Sequence, residues 1–161
     1  MQLRRWLQAG AVFAERLNDL SILRTRHTVY GDPVIVRTAR GDAMQLSGDP
    51  QCGIMLSGVN GSIKSLCFFC WPSSDISVDG VLDTFEWVDP TVMVDGVETT
   101  TVPRDQWSLV SVSSATAKSG NEAVLASNNL GDDTILITEF IGLPHEITAA
   151  ECLNILRGRA F

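Results

Sequence analysis

Thr91-Val92-Met93-Val94-Asp95-Gly96-Val97-Glu98-Thr99-Thr100-Thr101-Val102 is two β-branched runs joined by Asp-Gly. That dipeptide tolerates positive φ at both central positions of a type I′ turn, whose twist matches that of the flanking strands. The stretch therefore predicts a β-hairpin and sets the expectation of an antiparallel β-fold. Beyond Pro103, the segment Gln106-Trp107-Ser108-Leu109-Val110-Ser111-Val112 alternates apolar and polar residues as a half-buried strand does. Ile135 to Gly142 reads as another strand and runs into Glu146 to Leu156, where Thr148 is a candidate N-cap with Glu151 three residues on as its capping-box partner.

Working back toward the N-terminus, turn signals recur at short intervals. They fall at Gly48-Asp49-Pro50, Asn60-Gly61, Asp79-Gly80, Asp89-Pro90, Asp95-Gly96, Gly120-Asn121 and Asn128 to Asp133, between β-branched and aromatic runs. Such punctuation is the sequence pattern of an all-β sandwich. Val78-Asp79-Gly80-Val81 and Val94-Asp95-Gly96-Val97 repeat one tetrapeptide, but two copies do not make a repeat architecture.

The order of these motifs resembles the laminin-G-like domains of the concanavalin A-like lectin/glucanase superfamily. The residues that carry it are Val94-Asp95-Gly96, the strand Trp107 to Val112, and Ile135 to Leu156 with its Thr148-Ala149-Ala150-Glu151 helix start. Ser65-Leu66-Cys67-Phe68-Phe69-Cys70-Trp71-Pro72 stands where the family has an aromatic inner strand, and Asp49 to Leu56 where it has its opening strand. The resemblance spans roughly residues 40 to 156 and implies a jelly-roll β-sandwich. It fixes no activity, because one sandwich hosts many functions. The expected organisation is a helical and extended arm over residues 1–40 and a sandwich over residues 41–161 that ends in a short helix.

At 161 residues and 45% hydrophobic, the chain is long enough to bury one core without disulfides or metals. Its net charge of −7 speaks against a generic nucleic-acid binder. No run approaches the roughly 18 apolar residues of a membrane span. The charge is divided: residues 1–40 carry +4, and subtracting this from −7 leaves −11 for the remainder. Opposite blocks on one chain invite contact between them, within a subunit or across an assembly; an arm whose arginines merely face water fits the same charges.

The arm itself has apolar residues at Leu3, Trp6, Phe13, Leu17 and Leu20 with Gly10 in the same seam, the alternating spacing of an amphipathic helix. With Arg4, Arg5 and Arg16 it is a candidate partner-docking or oligomerising helix; folding back onto its own sandwich satisfies the same pattern. Thr28 to Tyr30 and Val34 to Thr38, around Gly31-Asp32-Pro33, read as an extended linker or a first hairpin. The apolar stretch after Arg4-Arg5 is too short and broken for a signal peptide, so the four cysteines are expected to be thiols.

The superfamily that the motifs resemble includes glycosidases, which need two carboxylates on one strand face. No Glu-x-Asp pair places two carboxylates on one strand face, and Asp83, Glu86 and Asp89 are spaced by three, which alternates faces. Cys67-Phe68-Phe69-Cys70 matches a zinc-type spacing, but on a strand its cysteines point to opposite faces and read as buried thiols. No Gly-x-Ser-x-Gly motif accompanies His27 or His145. The expectation is a non-enzyme with no cofactor. Calcium is left open by the hard oxygens of Asn128 to Asp133, with no ligand assigned. Of the tryptophans, Trp71 and Trp107 are expected in the core and Trp87 at the surface, where a sugar ring stacks on an indole face.

Two functions follow. The first is a structural subunit of a virus particle, such as a bacteriophage capsid decoration, neck or tail-fibre-associated protein, assembled in the host cytoplasm. Its partners would be other virion proteins and further copies of itself, gripped by the arm. The second is a carbohydrate-binding module for cell-surface glycans.

Overall fold

The computed structural model describes residues 5–7, 28–30, 33–47, 53–57, 63–82, 87–117, 122–126 and 133–158. Its strands are β1 (Arg5–Leu7), β2 (Thr28–Tyr30), β3 (Val34–Thr38), β4 (Gly41–Ser47), β5 (Gly53–Ser57), β6 (Ser65–Pro72) and β7 (Ile76–Ser77). A 3-10 turn at Val78–Gly80 leads on to β8 (Thr91–Val94), β9 (Val97–Glu98), β10 (Thr101–Val102), β11 (Ser108–Ser113), β12 (Glu122–Ala126) and β13 (Thr134–Leu143), and then to the helix α1 (Ala149–Leu156). All the pairings are antiparallel. The large sheet runs β3-β4-β13-β6-β11-β8-β9, with β1 beside the end of β13; β12-β5-β2 and β10-β7 form smaller sheets. The result is the expected β-sandwich with a short C-terminal helix.

The β8–β9 hairpin forms as its turn chemistry requires, with Asp95 at φ 54° and Gly96 at φ 80°. Its second run does not stay in one sheet: after Thr99 and Thr100 the chain leaves β8, and β10 pairs with β7 instead. The inner strand β6 lies between β13 and β11. Being covered on both faces, it reads as a continuous apolar run rather than an alternating one.

One face of the large sheet carries Met44, Leu46, Phe68, Cys70, Val110, Val112, Ile135, Ile137 and Phe140, packed with Ile76, Val78, Leu82, Trp87 and Val102 as the main core. The opposite face carries Cys67, Phe69, Leu109, Met93 and Ile141 under Ile147, Cys152 and Ile155 of α1 and its approach. Cys67 and Cys70 thus sit in different clusters, as a strand period of two demands. Both are buried free thiols, as is Cys152. Burial pushes all three up from their ordinary value. Cys52 lies outside the described residues.

Helix α1 starts as its sequence specifies. The Glu151 backbone N–H donates to Thr148 Oγ1 at 3.2 Å, and Glu151 Oε2 accepts from the Thr148 N–H at 2.8 Å. Ser65, buried at the start of β6, ties the helix approach to the sheet: its hydroxyl donates to the His145 carbonyl at 2.6 Å and accepts from the Ile147 N–H at 2.8 Å. His145 Nε2 lies 2.9 Å from Glu151 Oε1. Burial raises the Glu151 carboxyl, but hydrogen bonds from Thr148 and His145 outweigh it and hold the group below the usual carboxylate range. A carboxyl depressed on folding contributes stability above its unfolded value, around 4.3, and loses it as pH falls through the lower folded value. We therefore expect the melting temperature of the native chain to fall more steeply below about pH 4.5 than that of Glu151→Gln, which keeps the cap acceptor without titrating. Calorimetry across that pH range checks this; parallel curves for the two proteins contradict it.

The N-terminal expectations change where they meet described residues. Arg5, Trp6 and Leu7 are not helical but extended, paired with Gly142, Ile141 and Phe140. An unpaired edge of β13 beyond β4 offers those three residues a ladder of backbone bonds, which a marginal helix with a glycine in its seam does not match. Leu3, Arg4, Phe13, Arg16, Leu17 and Leu20 lie outside the described residues. The hairpin in this region is not across Gly31-Asp32-Pro33: β2 pairs with β5, while β3 pairs with β4 through Ala39 and Arg40. Strands before residue 41 therefore belong to the same sheets as those after it.

Candidate functional site

Helix α1 spans eight residues and packs, with its approach, over Cys67, Phe69, Leu109 and Ile141 on the outer face of the large sheet. Along β6 that face presents Cys67, Phe69 and Trp71 in turn, because alternate residues share a side. Cys67 and Phe69 are fully buried, whereas Trp71 is only half-buried. Trp107, next to β11, lies beside it with ring centroids 5.9 Å apart and planes at 75°. This edge-to-face geometry is a favoured aromatic arrangement. Across the sheet the same row continues through Leu136, paired with Trp71, to Gln45, paired with Leu136. Both are half-buried.

The loop that carries Trp107 is pinned to β6 and β7. The Asp105 N–H donates to the Pro72 carbonyl at 3.0 Å, and the Arg104 N–H to Asp75 Oδ1 at 2.8 Å. Asp105 adopts φ 58°, a conformation Asp tolerates better than most residues. The neighbouring loop is fixed by Ser74 Oγ, which donates to Asp133 Oδ2 at 2.6 Å, and by the Thr134 N–H, which donates to Ser73 Oγ at 2.9 Å. The indole pair thus rests on a braced strand end, the kind of support that holds a binding constellation in place.

On the same face, the Arg40 guanidinium carbon sits over Phe69, 3.5 Å from the ring centroid, and Nη2 donates to Glu139 Oε1 at 3.2 Å. Arg40 comes from the β3–β4 turn and Glu139 from an irregularity in β13, where pairing with β6 shifts between Thr138 and Ile141. The sequence requires that shift: Ile137 and Phe140 both face the main core, three residues apart, so one extra residue must be accommodated. Glu139 takes up the extra position with φ 56° and keeps its carboxylate out of the core. A non-glycine residue there costs about 1–2 kcal/mol. Arg40 Nε is buried with no hydrogen-bond partner, a further cost of about 1–3 kcal/mol. Two unfavourable local features thus converge on one ion pair near a half-buried indole pair, the clustering typical of functional positions.

The expected position of Trp87 is overturned here. Trp87, taken as the surface glycan contact, is 4% exposed and packed in the main core, its indole N–H buried without a partner. Its neighbour Asp89 is exposed while Trp87 itself is in the core, so an acidic neighbour in sequence did not keep the indole at the surface. Trp71 and Trp107, expected in the core, are half-buried, and Trp107 packs against the cluster under α1. Phase along β6 and β11 gives their shared face.

Of the acidic residues considered for catalysis, Asp83 and Glu86 lie outside the described residues and Asp89 is exposed at φ 45°. Of the loop considered for calcium only Asp133 is described, and it accepts from two serine hydroxyls. Among the described residues no three His, Cys, Asp or Glu side chains are grouped to hold a metal, and no helix is long and apolar enough to cross a membrane.

No protein-family model matches the sequence, and no curated protein matches it. Solved structures do match. One is described as "Carbohydrate binding module family29", with TM-score 0.51 and 12% identity over 94% of this chain and 92% of that one. Two variants of the module CBM29-2, solved to probe ligand recognition by family 29 carbohydrate-binding modules, align with TM-score 0.50 at 12% identity over 94% of this chain and 94% and 96% of theirs. At that identity, what is shared is the fold. It is a jelly-roll β-sandwich, the fold class that the motif order suggested; the narrower laminin-G-like and virus-particle readings gain no support from these matches.

Proposed function

We propose that this chain is a non-catalytic carbohydrate-binding module that holds a glycan on the outer face of its large sheet, against Trp71 and Trp107. The observation that carries the reading is the half-buried indole pair, edge to face at 5.9 Å, at a braced end of the outer sheet face. Indoles suit the faces of sugar rings because they offer a large apolar surface at little cost in side-chain freedom. Leu136 extends the apolar floor along the same row, and Gln45 supplies an amide donor and acceptor at its end. The likeness in fold to carbohydrate-binding modules supports this reading over the virus-particle one.

The test is titration of the full chain with neutral oligosaccharides, following intrinsic tryptophan fluorescence. We expect saturable binding that quenches or shifts the emission, and a loss of about tenfold or more in affinity for Trp71→Ala or Trp107→Ala. Trp87→Phe, a change confined to the core, should leave affinity within about twofold. Saturable binding untouched by the Trp71 or the Trp107 change would move the site elsewhere; no binding across a broad neutral panel would overturn the reading.

A further inference from the structure

We infer that the Arg40–Glu139 pair makes this site selective for neutral glycans over uronate-containing ones. The inference rests on the carbohydrate-binding reading and goes beyond it, because it assigns the sign of the ligand from the charges built into the sheet face.

Three observations lead there. First, the pair is placed to meet a ligand held by the indoles: Arg40 sits over Phe69, which lies two residues before Trp71 on the same face of β6. Its side chain and that of Glu139 keep 28% and 22% exposure, so both are reachable from solvent. Second, the pair is internally neutral. The guanidinium donates to the carboxylate at 3.2 Å, leaving a group that offers donors and acceptors side by side without net charge. Vicinal sugar hydroxyls, each both donor and acceptor, match such a pair. A uronate carboxylate entering at the same point would compete with Glu139 for the guanidinium and lie beside a like charge. Third, the face is assembled at a cost. Glu139 is held at φ 56° in the β13 irregularity, and Arg40 Nε is buried without a partner. A glutamate set there for folding alone would be better replaced by glycine. The acidity of the chain adds to the selection at longer range, since a net charge of −7 disfavours approach of a polyanion.

The ligand class is therefore a neutral polysaccharide or oligosaccharide, and the specificity-determining residues are Arg40 and Glu139. The probes are hexasaccharides of glucose, mannose and galactose as neutral ligands and oligogalacturonate as the acidic one, titrated into the full chain. The native protein is expected to bind at least one neutral probe and to bind oligogalacturonate at least about tenfold more weakly. Glu139→Gln should weaken the neutral complex by about tenfold and strengthen oligogalacturonate binding, with a marked dependence on salt. Arg40→Gln should weaken the neutral complex without that gain. If Glu139→Gln unfolds the chain, Glu139→Gly replaces it, because glycine suits the positive φ while removing the same carboxylate.

Neutral binding that Trp71→Ala abolishes but that neither Glu139 nor Arg40 variants alter would overturn the inference and leave the carbohydrate-binding reading standing. Preference of the native chain for oligogalacturonate would overturn the inference as well. Failure of the native chain to bind any probe, neutral or acidic, removes the reading and the inference together.

Discussion

Phe68→Ala is expected to lower the unfolding free energy by about 3–5 kcal/mol, measured as a fall in the urea midpoint. Phe68 is 1% exposed at the middle of β6 and faces the main core. Its ring lies 6.2 Å from that of Phe140 on β13, tilted by 35°. Its backbone lies opposite Val110 on β11. The side chain therefore joins three adjacent strands of the large sheet from their inner side. Truncation removes its apolar surface from the core and leaves a void that surrounding β-ladders, fixed by hydrogen bonds on both sides, cannot close. A domain of this kind has about 5–15 kcal/mol of stability in all, so the variant should lose a large share of it. A change below about 1 kcal/mol would mean that the sheet collapses onto the site, contrary to the two-sided pairing of β6.

Features decided by neighbouring residues were readable in the sequence. Asp95-Gly96 formed its turn because the φ preference belongs to those two residues, and Thr148 with Glu151 formed its cap because both partners lie within one helical turn. The opposite facing of Cys67 and Cys70 followed from strand period alone. The repeated tetrapeptide marks the limit of such reading. Val94 to Val97 forms a hairpin turn, whereas Val78 to Val81 winds into a 3-10 turn in which the Val81 N–H donates to the Val78 carbonyl at 2.9 Å. Identical local preferences were resolved by what each copy had to connect.

The candidate site was legible in part. Trp71 and Trp107 stood out as strand residues, but their apolar neighbours made them read as core. Their pairing on one face is a matter of strand register, which no residue near either tryptophan in sequence encodes. Arg40 was visible only as the end of a basic segment; its role depends on β3 and β4 folding it over Phe69. Its contact with Glu139 at 3.2 Å joins two distant parts of the chain, whereas Arg37, 82% exposed, meets Asp42 only across its own hairpin at 2.8 Å. The irregularity at Glu139 had a readable sign: Ile135, Ile137 and Phe140 break the alternation by one residue, so a regular strand cannot bury all three on one face.

Gly96→Val should lower the unfolding free energy by about 3 kcal/mol and loosen α1 from the sheet. Two separable effects contribute. Gly96 has φ 80°, where a side chain is strained by about 1–2 kcal/mol and a β-branched one by more. A Cβ there would also stand 3.1 Å from the Ala149 carbonyl oxygen, 3.5 Å from Cys152 Cβ and 3.6 Å from Leu153 Cγ, all on α1. The hairpin turn is thus the seat of the first turns of the helix, and the Asp95 carboxylate braces it by accepting from the Leu109 N–H at 2.8 Å. Gly158→Ala provides the comparison, because Gly158 has φ 66° and a Cβ there meets nothing within 4 Å, so that change reports backbone strain alone. Gly96→Ala should cost more than Gly158→Ala, and only the Gly96 variants should expose Cys152 to alkylation in the folded state, since the displaced helix would uncover a thiol that is now 0% exposed. Equal losses for the two alanine variants, with Cys152 still protected, would show that the turn carries strain but does not seat the helix.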